Sequence, residues 1–240
     1  MINLIYENSW AGFLCAVFAA FPLKESCKLS RKGDISFIYD SQDVITDQTR
    51  AQRVEAGMTR LGAEVSAICY RAWLSEKENI EDDILASLRR GFEVNADPFP
   101  LLMYPEVRRT VLASRHVGME AHRFLGLTRL KHVRDDLYAA DFTHDYNLLP
   151  LMGTHFADRF GDQRLIIRDI ERRHALICGG GVWEIRALPN GEIPPLPEDG
   201  EFERSWRSYF EAIANPARKN LRLQMKFVPL KYRAHLTEFQ

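Results

Sequence analysis

The sequence lacks the cysteine patterns and the long apolar runs that mark several classes of protein. Four cysteines occur, but none forms a Cys-x-x-Cys pair, and three of them lie in apolar surroundings. Such positions suit a small buried side chain, so we do not expect a zinc or iron-sulfur site built on cysteine. The longest apolar run, Trp10 to Phe21, is too short to span a bilayer, and no basic stretch precedes it. We therefore expect a cytoplasmic protein without a membrane segment.

Motifs of nucleotide binding and of nucleophilic catalysis are also missing. Gly179-Gly-Gly181 is followed neither by Gly-Lys-Ser/Thr nor by a predicted helix, so it indicates a hairpin turn instead of a phosphate-binding loop. No nucleophile elbow is present. His122, His144, Asp145 and His155 are residue types that bind metals, but they lack the spacing of a known ligand set. We expect no bound metal and no cofactor.

Charge, by contrast, is strongly segregated along the chain. The formal net charge of -1 averages one acidic segment with two basic ones. Asp34–Asp83 carries eleven acidic and five basic residues, whereas Val107–Arg134 carries seven basic residues and one acid. Pro216–Leu236 carries six Lys and Arg residues and no acid. The two basic segments can form one anion-binding surface, although the same cations can equally pair with the acidic segment.

The first half of the sequence predicts mainly helices. A short strand at Ile2–Tyr6 is followed by a helix that Asn8 or Ser9 caps and that stops before Pro22. Further helices are predicted from Asp47 to Gly62, through Val65–Ala72, from a capping box at Ser75 and Glu78 to Gly91, and from Pro105 to His116.

The second half predicts short strands and two helices. The strands are Phe124–Leu130, Leu137–Phe142, Arg164–Ile167 and Ala175–Cys178; the helices are Leu148–Phe160 and Glu201–Ile213, with a surface linker at Leu188–Gly200. The order predicts an α+β fold in which a helical N-terminal half precedes a small antiparallel sheet with packed helices. We expect a single domain over 1–240, mainly helical at 1–118 and strand-rich with a C-terminal helix at 119–240.

Two basic stretches contain candidate phosphate ligands. If residues 122–130 form a strand, Arg123 and Arg129 share one face with leucines and lie near a sheet edge, where guanidinium groups suit phosphate oxygens. The alternative is that both arginines pair with local acids. The second stretch, residues 218–232, interleaves cations with Phe227 and Tyr232, as grooves for single-stranded nucleic acid do. The alternative here is that the aromatic residues anchor the chain to the core.

His155 and Arg159 fall inside the apolar stripe of the predicted helix Leu148–Phe160. They lie one turn apart, and each needs a polar partner to offset the cost of leaving water. Either they meet an acid within the fold or they bind a ligand.

Six ordered segments carry a family resemblance that covers nearly the whole chain. They are Tyr6–Phe18, Glu120–Arg129, His144–Pro150, His155–Phe160, Asn220–Met225 and Pro229–Tyr232. Together they resemble the DUF4130 family of DNA metabolism and repair proteins. The resemblance implies that DNA is the target and that a radical-SAM protein similar to spore photoproduct lyase is the partner.

Three functions follow as hypotheses. The first is a DNA metabolism or repair protein that binds DNA and assists the radical-SAM partner, with phosphate contacts from Arg123, Arg129, Arg159, Lys219, Arg222, Lys226 and Lys231. The second is an enzyme that acts on a DNA base or nucleotide, with His122 or His155 as general acid and base. The third is a protein adaptor whose acidic helical half binds an enzyme without contacting nucleic acid.

Overall fold

A computed structural model describes residues 2–23, 27–33 and 40–239, which divide into a unit of Met1–Met119 and a unit of Glu120–Gln240. Each unit contains both helices and strands, so the predicted α+β fold class is confirmed. The single domain over 1–240 stays a prediction. Within the described ranges, no helix combines the length and the apolar character needed to cross a membrane.

In the first unit a small parallel sheet accompanies the helices. Its described elements are strands β1 (Ile2–Tyr6), β2 (Cys27–Arg31) and β3 (Asp40–Val44), helices α1 (Trp10–Ala20), α2 (Gln48–Leu61), α3 (Val65–Trp73) and α4 (Ile80–Val94), and the first part of α5 (Pro105–Leu127). Strand β1 is central and pairs in parallel with both neighbours. The sequence predicts β1 but not β2 or β3, because β3 is polar and almost wholly exposed and so lacks alternation of apolar residues.

Side-chain caps define two helix starts in this unit, as the sequence predicts. The Ser9 hydroxyl accepts a hydrogen bond from the Gly12 backbone N–H at 3.0 Å. The Asp47 carboxylate accepts one from the Arg50 N–H at 3.0 Å. Both caps satisfy backbone donors that have no partner inside the helix. At the other end of α2, Gly62 is the C-cap, as predicted.

The predicted bounds of α4 are wrong at both ends. The helix begins after Asn79, and the Ser75 hydroxyl accepts only a long hydrogen bond of 3.4 Å from the backbone N–H of Lys77. The predicted end, Gly91, lies inside the helix, where an added Cβ would stand 2.9 Å from a methyl carbon of Leu61. Gly91 therefore permits close packing, and Asn95, at φ 48°, takes the left-handed conformation that ends the helix.

The acidic segment predicted at Asp34–Asp83 begins in residues 34–39, which lie outside the described part of the chain. Its later acids pair with arginines of the same unit. A Glu81 oxygen lies 2.7 Å from Nε of Arg31, and an Asp83 oxygen lies 2.5 Å from a guanidinium nitrogen of Arg109. Some of the basic residues are thus paired with the acidic segment. This pairing is one of the two alternatives that the sequence leaves open, the other being an anion-binding surface.

The second unit contains a five-stranded sheet together with helices that precede it, connect its strands and follow it. Its described elements are the last part of α5, strands β4 (Lys131–Arg134), β5 (Leu137–Phe142), β6 (Arg164–Asp169), β7 (His174–Gly179) and β8 (Val182–Ala187), and helices α6 (Leu149–Arg159), α7 (Glu201–Ile213), α8 (Leu221–Phe227) and α9 (Leu230–Arg233). The strand order is β4-β5-β6-β7-β8. Strands β5 and β6 pair in parallel, and the other pairs are antiparallel. The purely antiparallel sheet is therefore wrong at one pairing, where α6 supplies the crossover that parallel strands require.

The predicted strand Phe124–Leu130 is also wrong, because α5 continues through Leu127. Buried Val117, Ala121 and Phe124 are spaced by four and then three residues, which is the period of a helix and not of a strand. Gly118 lies between this stretch and the predicted helix before it, but no proline does, and the helix continues through the glycine. His122, Arg123 and their neighbours therefore lie on a helix, and the two strand faces proposed for them do not exist.

A tight turn and a glycine contact hold β8 in place. Gly180 and Gly181, at φ 60° and 74°, form the two-residue turn between β7 and β8, as the sequence predicts. Across the unit, Gly153 of α6 faces the Trp183 ring, and an added Cβ would stand 2.2 Å from that ring. The absence of a side chain at Gly153 lets the helix approach β8.

We expect Gly153→Ala to lower the free energy of unfolding by about 1–3 kcal/mol, because the Trp183 ring must leave its place on α6. Gly126→Ala is the control, since nothing lies within 4 Å of an added Cβ there. Alanine also favours the helix that contains this position. Urea denaturation of both variants measures the difference, and equal midpoints would contradict the packing role of Gly153.

Candidate functional site

Three polar side chains from distant parts of the sequence meet in the second unit. They are Glu120 of α5, His144 of the loop after β5, and Tyr232 of α9. The Tyr232 hydroxyl donates a hydrogen bond of 2.5 Å to a Glu120 carboxylate oxygen, and Nε2 of His144 lies 3.3 Å from the same oxygen. His144 Nε2 also lies 3.1 Å from the Tyr232 hydroxyl oxygen. We call these three residues the Glu-His-Tyr cluster.

The orientation of the His144 ring is fixed from both sides. The backbone N–H of Tyr146 donates to Nδ1 at 3.0 Å, so Nδ1 accepts and the proton of the neutral ring lies on Nε2, facing Glu120. The ring of Phe124 stands edge-on to the imidazole, with centroids 4.9 Å apart. The His144 side chain has no exposed surface. The cluster therefore binds Tyr232 to the body of the unit and offers no imidazole to solvent in this conformation.

Glu120 is strongly favoured in its charged form. Burial by itself raises the pKa of this carboxyl, but hydrogen bonds from His144 and Tyr232 and the charge of Arg123 outweigh burial and lower the pKa to about 2. A guanidinium nitrogen of Arg123 lies 2.6 Å from the other Glu120 oxygen. Burial and the adjacent Glu120 carboxylate raise the pKa of Tyr232, so the phenol keeps its proton and remains a donor.

A second group of contacts ties α7 to the last described residues. Arg129 lies 2.6 Å from a Glu238 carboxylate oxygen, and its guanidinium carbon lies 5.6 Å from the centroid of the Trp206 ring. The Trp206 indole N–H donates to Glu238 at 3.2 Å. Phe210 and Phe239 complete the contact, with ring centroids 6.4 Å apart. The 3₁₀ turn at residues 237–239 is thus held against α7 by charge, a hydrogen bond and aromatic packing.

Six of the seven predicted phosphate ligands fall into two sets. Arg123, Arg129 and Lys231 each contact a carboxylate, the last at 2.5 Å from Asp145. The other set lies in the segment between α7 and Tyr232 and is exposed; it has no acidic partner within the described ranges. Its members are Lys219, Arg222 and Lys226. The neighbouring Arg218, which the sequence did not single out, is also exposed and has no acidic partner among the described residues. We call residues 214–231 the C-terminal loop; it has no buried residue.

The remaining candidates do not join either group. His122 is exposed on α5, and Arg159 is exposed at the end of α6, 5.7 Å from the centroid of the Phe160 ring. His155 is half-buried on α6, and its Nε2 has no hydrogen-bond partner in the described part of the chain. No acid contacts either histidine there, so acid–base roles for His122 and His155 stay hypotheses.

Sequence reasoning missed the Glu-His-Tyr cluster, although its members lie in three of the segments that carry the family resemblance. Glu120 precedes His144 by 24 residues and Tyr232 by 112. Separations of that size have no helical or strand period, so no spacing rule connects them. Only the recurrence of the three segments in one family signals that they belong together.

A family model matches residues 78–238, which is more than half of the chain, and its description is a domain of unknown function, DUF4130. The chain belongs to the DUF4130 family. The DUF4130 match contains the whole Glu-His-Tyr cluster and the whole C-terminal loop. Comparison with curated proteins and with solved structures finds no similar protein.

Within the described residues of this DUF4130 protein, no group of three or more His, Cys, Asp or Glu side chains is placed to hold a metal ion. Cys15, Cys69 and Cys178 are buried, as expected from their apolar neighbours. Burial raises the pKa of the Cys178 thiol to about 11, which disfavours the reactive thiolate.

We expect Tyr232→Phe to destabilise the second unit by about 1–3 kcal/mol, because the Glu120 carboxylate loses a buried donor. Tyr138→Phe is the matched control: this ring contacts His132, and its hydroxyl has no hydrogen bond to another described residue. Thermal or urea denaturation measures both changes. Equal stabilities of the two variants would show that the Tyr232 hydroxyl does not contribute.

A second prediction concerns pH. The folded pKa of Glu120 is lowered from 4.5 to about 2, so its contribution is complete above about pH 5 and is lost as the pH falls from 4.5 toward 2. The wild-type protein should exceed Glu120→Gln in stability by about 2–3 kcal/mol near neutral pH. The difference should shrink steadily below pH 4.5, as measured by urea denaturation at each pH. A difference that does not change with pH would refute the lowered pKa.

Proposed function

We propose that this DUF4130 protein acts in DNA metabolism or repair by binding DNA, and that the C-terminal loop contacts the phosphates. The observation that carries the proposal is the set of Arg218, Lys219, Arg222 and Lys226, which is exposed and has no acidic partner among the described residues. Elsewhere in the unit, cations such as Arg123 and Arg129 have carboxylate partners. A cation without a local acid keeps its full attraction for an external anion.

The shape of the loop supports the same proposal. Its first residue follows α7, and its last precedes Tyr232, which the Glu-His-Tyr cluster binds to the body of the unit. The loop is therefore attached at both ends while its middle is exposed. Lys and Arg side chains held in this way can follow a phosphate backbone, and the sequence from Pro216 to Leu236 contains no acid that would repel a phosphate.

The family resemblance adds a partner to the proposal. We propose that DNA held on the C-terminal loop is presented to a radical-SAM enzyme, in the cytoplasm. Arg123, Arg129, Arg159 and Lys231 stay in the proposal as further candidate phosphate ligands, but all except Arg159 would first have to exchange a carboxylate for a phosphate. Arg218, Lys219, Arg222 and Lys226 need no such exchange.

We expect the double variant Arg222→Ala/Lys226→Ala to weaken binding to DNA. The slope of log K against log salt should fall by about one for each phosphate that the variant no longer neutralises. Fluorescence anisotropy with a labelled oligonucleotide at several salt concentrations measures both quantities. The weakening should be the same for oligonucleotides of different sequence, because phosphate contacts do not read bases.

The control is Arg164→Ala/Arg186→Ala, which removes the same charge from the same unit. Both of these arginines already have carboxylate partners, Asp136 at 2.5 Å and Glu184 at 2.6 Å. This variant should keep nearly the whole salt slope. If the loop variant and the control show the same reduction in slope, net charge and not the loop accounts for binding, and the proposed contact is wrong.

A further inference from the structure

Helix α7 presents an aromatic face that the described part of the chain covers only at Trp206, where the Arg129 guanidinium lies 5.6 Å from the ring centroid. Phe202, Trp206 and Tyr209 are spaced by four and then three residues, so they lie on one side of the helix. Their exposed fractions are 86%, 40% and 56%, and α7 contains no buried residue. We call these three side chains the α7 aromatic face. Exposed rings grouped on one face are expected to mark a binding surface.

The cations of the C-terminal loop follow the α7 aromatic face directly in the chain. The loop begins directly after the last residue of α7, Ile213. The chain then returns to α7 at residues 237–239, where Glu238 contacts Trp206 and Phe239 contacts Phe210. The loop therefore begins at one end of the helix, and the chain that follows the loop returns to the middle of the helix.

The charges of α7 itself leave the aromatic face open to an anionic ligand. The Glu203 carboxylate is turned toward the start of the helix, where it accepts the backbone N–H of Gly200 at 2.8 Å. On the helical wheel, Ser205 borders the aromatic face on one side, and Glu201 and Ser208 lie beyond it. No carboxylate of this helix is interposed between the three rings.

We propose that the α7 aromatic face stacks the unpaired bases of single-stranded DNA whose phosphates lie along the C-terminal loop; this rests on the proposed DNA binding. Aromatic rings beside a cationic track are what a single strand needs, since each base offers a flat face and each linkage a charge. Duplex DNA keeps its bases stacked on one another, so it can use the cations but not the rings. Pro216–Leu236 carries six cations and no acid, so a protein partner would need a dense cluster of acids to complement it. A polyanion such as DNA meets this requirement along its whole length.

The test compares Phe202→Leu/Tyr209→Leu with wild type on a single-stranded oligonucleotide and on its duplex. Leucine keeps the face apolar but removes the rings. We expect the affinity for the single strand to fall about ten-fold for each ring that stacks, with little change on the duplex. The salt slope should not change, because no cation is removed. Val182→Ala, an exposed apolar change in β8, should alter the affinity less than about two-fold.

Tryptophan fluorescence supplies a second readout. If Trp206 stacks on a base, a single strand should quench its emission, and Trp206→Phe should remove that part of the quenching while the phenyl ring retains most of the affinity. Trp183→Phe, a change in β8, should leave the quenching intact. Circular dichroism checks that each variant folds.

The results separate the two proposals. If the loop variant shows a smaller salt slope but the ring variant binds both DNA forms like wild type, stacking is wrong and DNA binding stands. If wild type binds neither form at low salt, both proposals fail. If α7 instead covers a second copy of the chain, wild type should sediment as a dimer, the ring variant as a monomer, and single-strand affinity should be unchanged, which also overturns stacking.

Discussion

The hydrogen bond from the Tyr232 hydroxyl to the Glu120 carboxylate is the contact on which the second unit's surface depends. It joins Glu120, in the second half of the long helix α5, to Tyr232, 112 positions later, and the buried imidazole of His144 contacts both side chains. Tyr232 marks the end of the C-terminal loop, so whatever holds the tyrosine also sets where the loop returns to the protein. A neutral phenol beside a carboxylate of low pKa makes this a charge-assisted bond, which is stronger than one between neutral groups.

The distribution of ion pairs gives the surface its character. Many arginines that look equivalent in the sequence are neutralised by nearby acids, such as Arg109 by Asp83 and Arg129 by Glu238. The C-terminal loop differs because its sequence contains no acid and its cations are exposed; among them only Lys231 has an acidic partner in the described part of the chain, Asp145. A nearly neutral protein can therefore carry a local positive surface, and total charge is a poor guide to its ligands.

The sequence predicted those parts of the fold that depend on local signals. The predicted features that the structure confirms are each encoded by residues close to them in the sequence. They are the side-chain caps at Ser9 and Asp47, the Gly180-Gly181 turn and the bounds of α7. The strand predicted at 124–130 was wrong because bulky apolar residues favour strands in isolation, whereas the helix is decided by burial at residues 117, 121 and 124. Strands β5 and β6 pair in parallel because helix α6 connects them as a crossover. No local sequence pattern predicts which strands such a connection brings together.

The candidate site was predictable only in part. The cations of the C-terminal loop stand out in the sequence because no acid interrupts them, and the structure leaves them exposed. The Glu-His-Tyr cluster did not stand out, because three single residues far apart carry no period. The pairing of Arg123 and Arg129 was one of two open alternatives, and only the folded arrangement of the chain decides which acids lie within reach.

Attachment of the C-terminal loop at both ends also affects the entropy of binding. A free tail of the same sequence would sample a large volume and would lose that freedom when a ligand ordered it. A loop whose ends are fixed by α7 and by Tyr232 has already lost much of it during folding, and lengthening such a loop costs little, since the closure entropy grows only with the logarithm of its length. Part of the entropy cost of ordering the loop is therefore met during folding, before any ligand arrives.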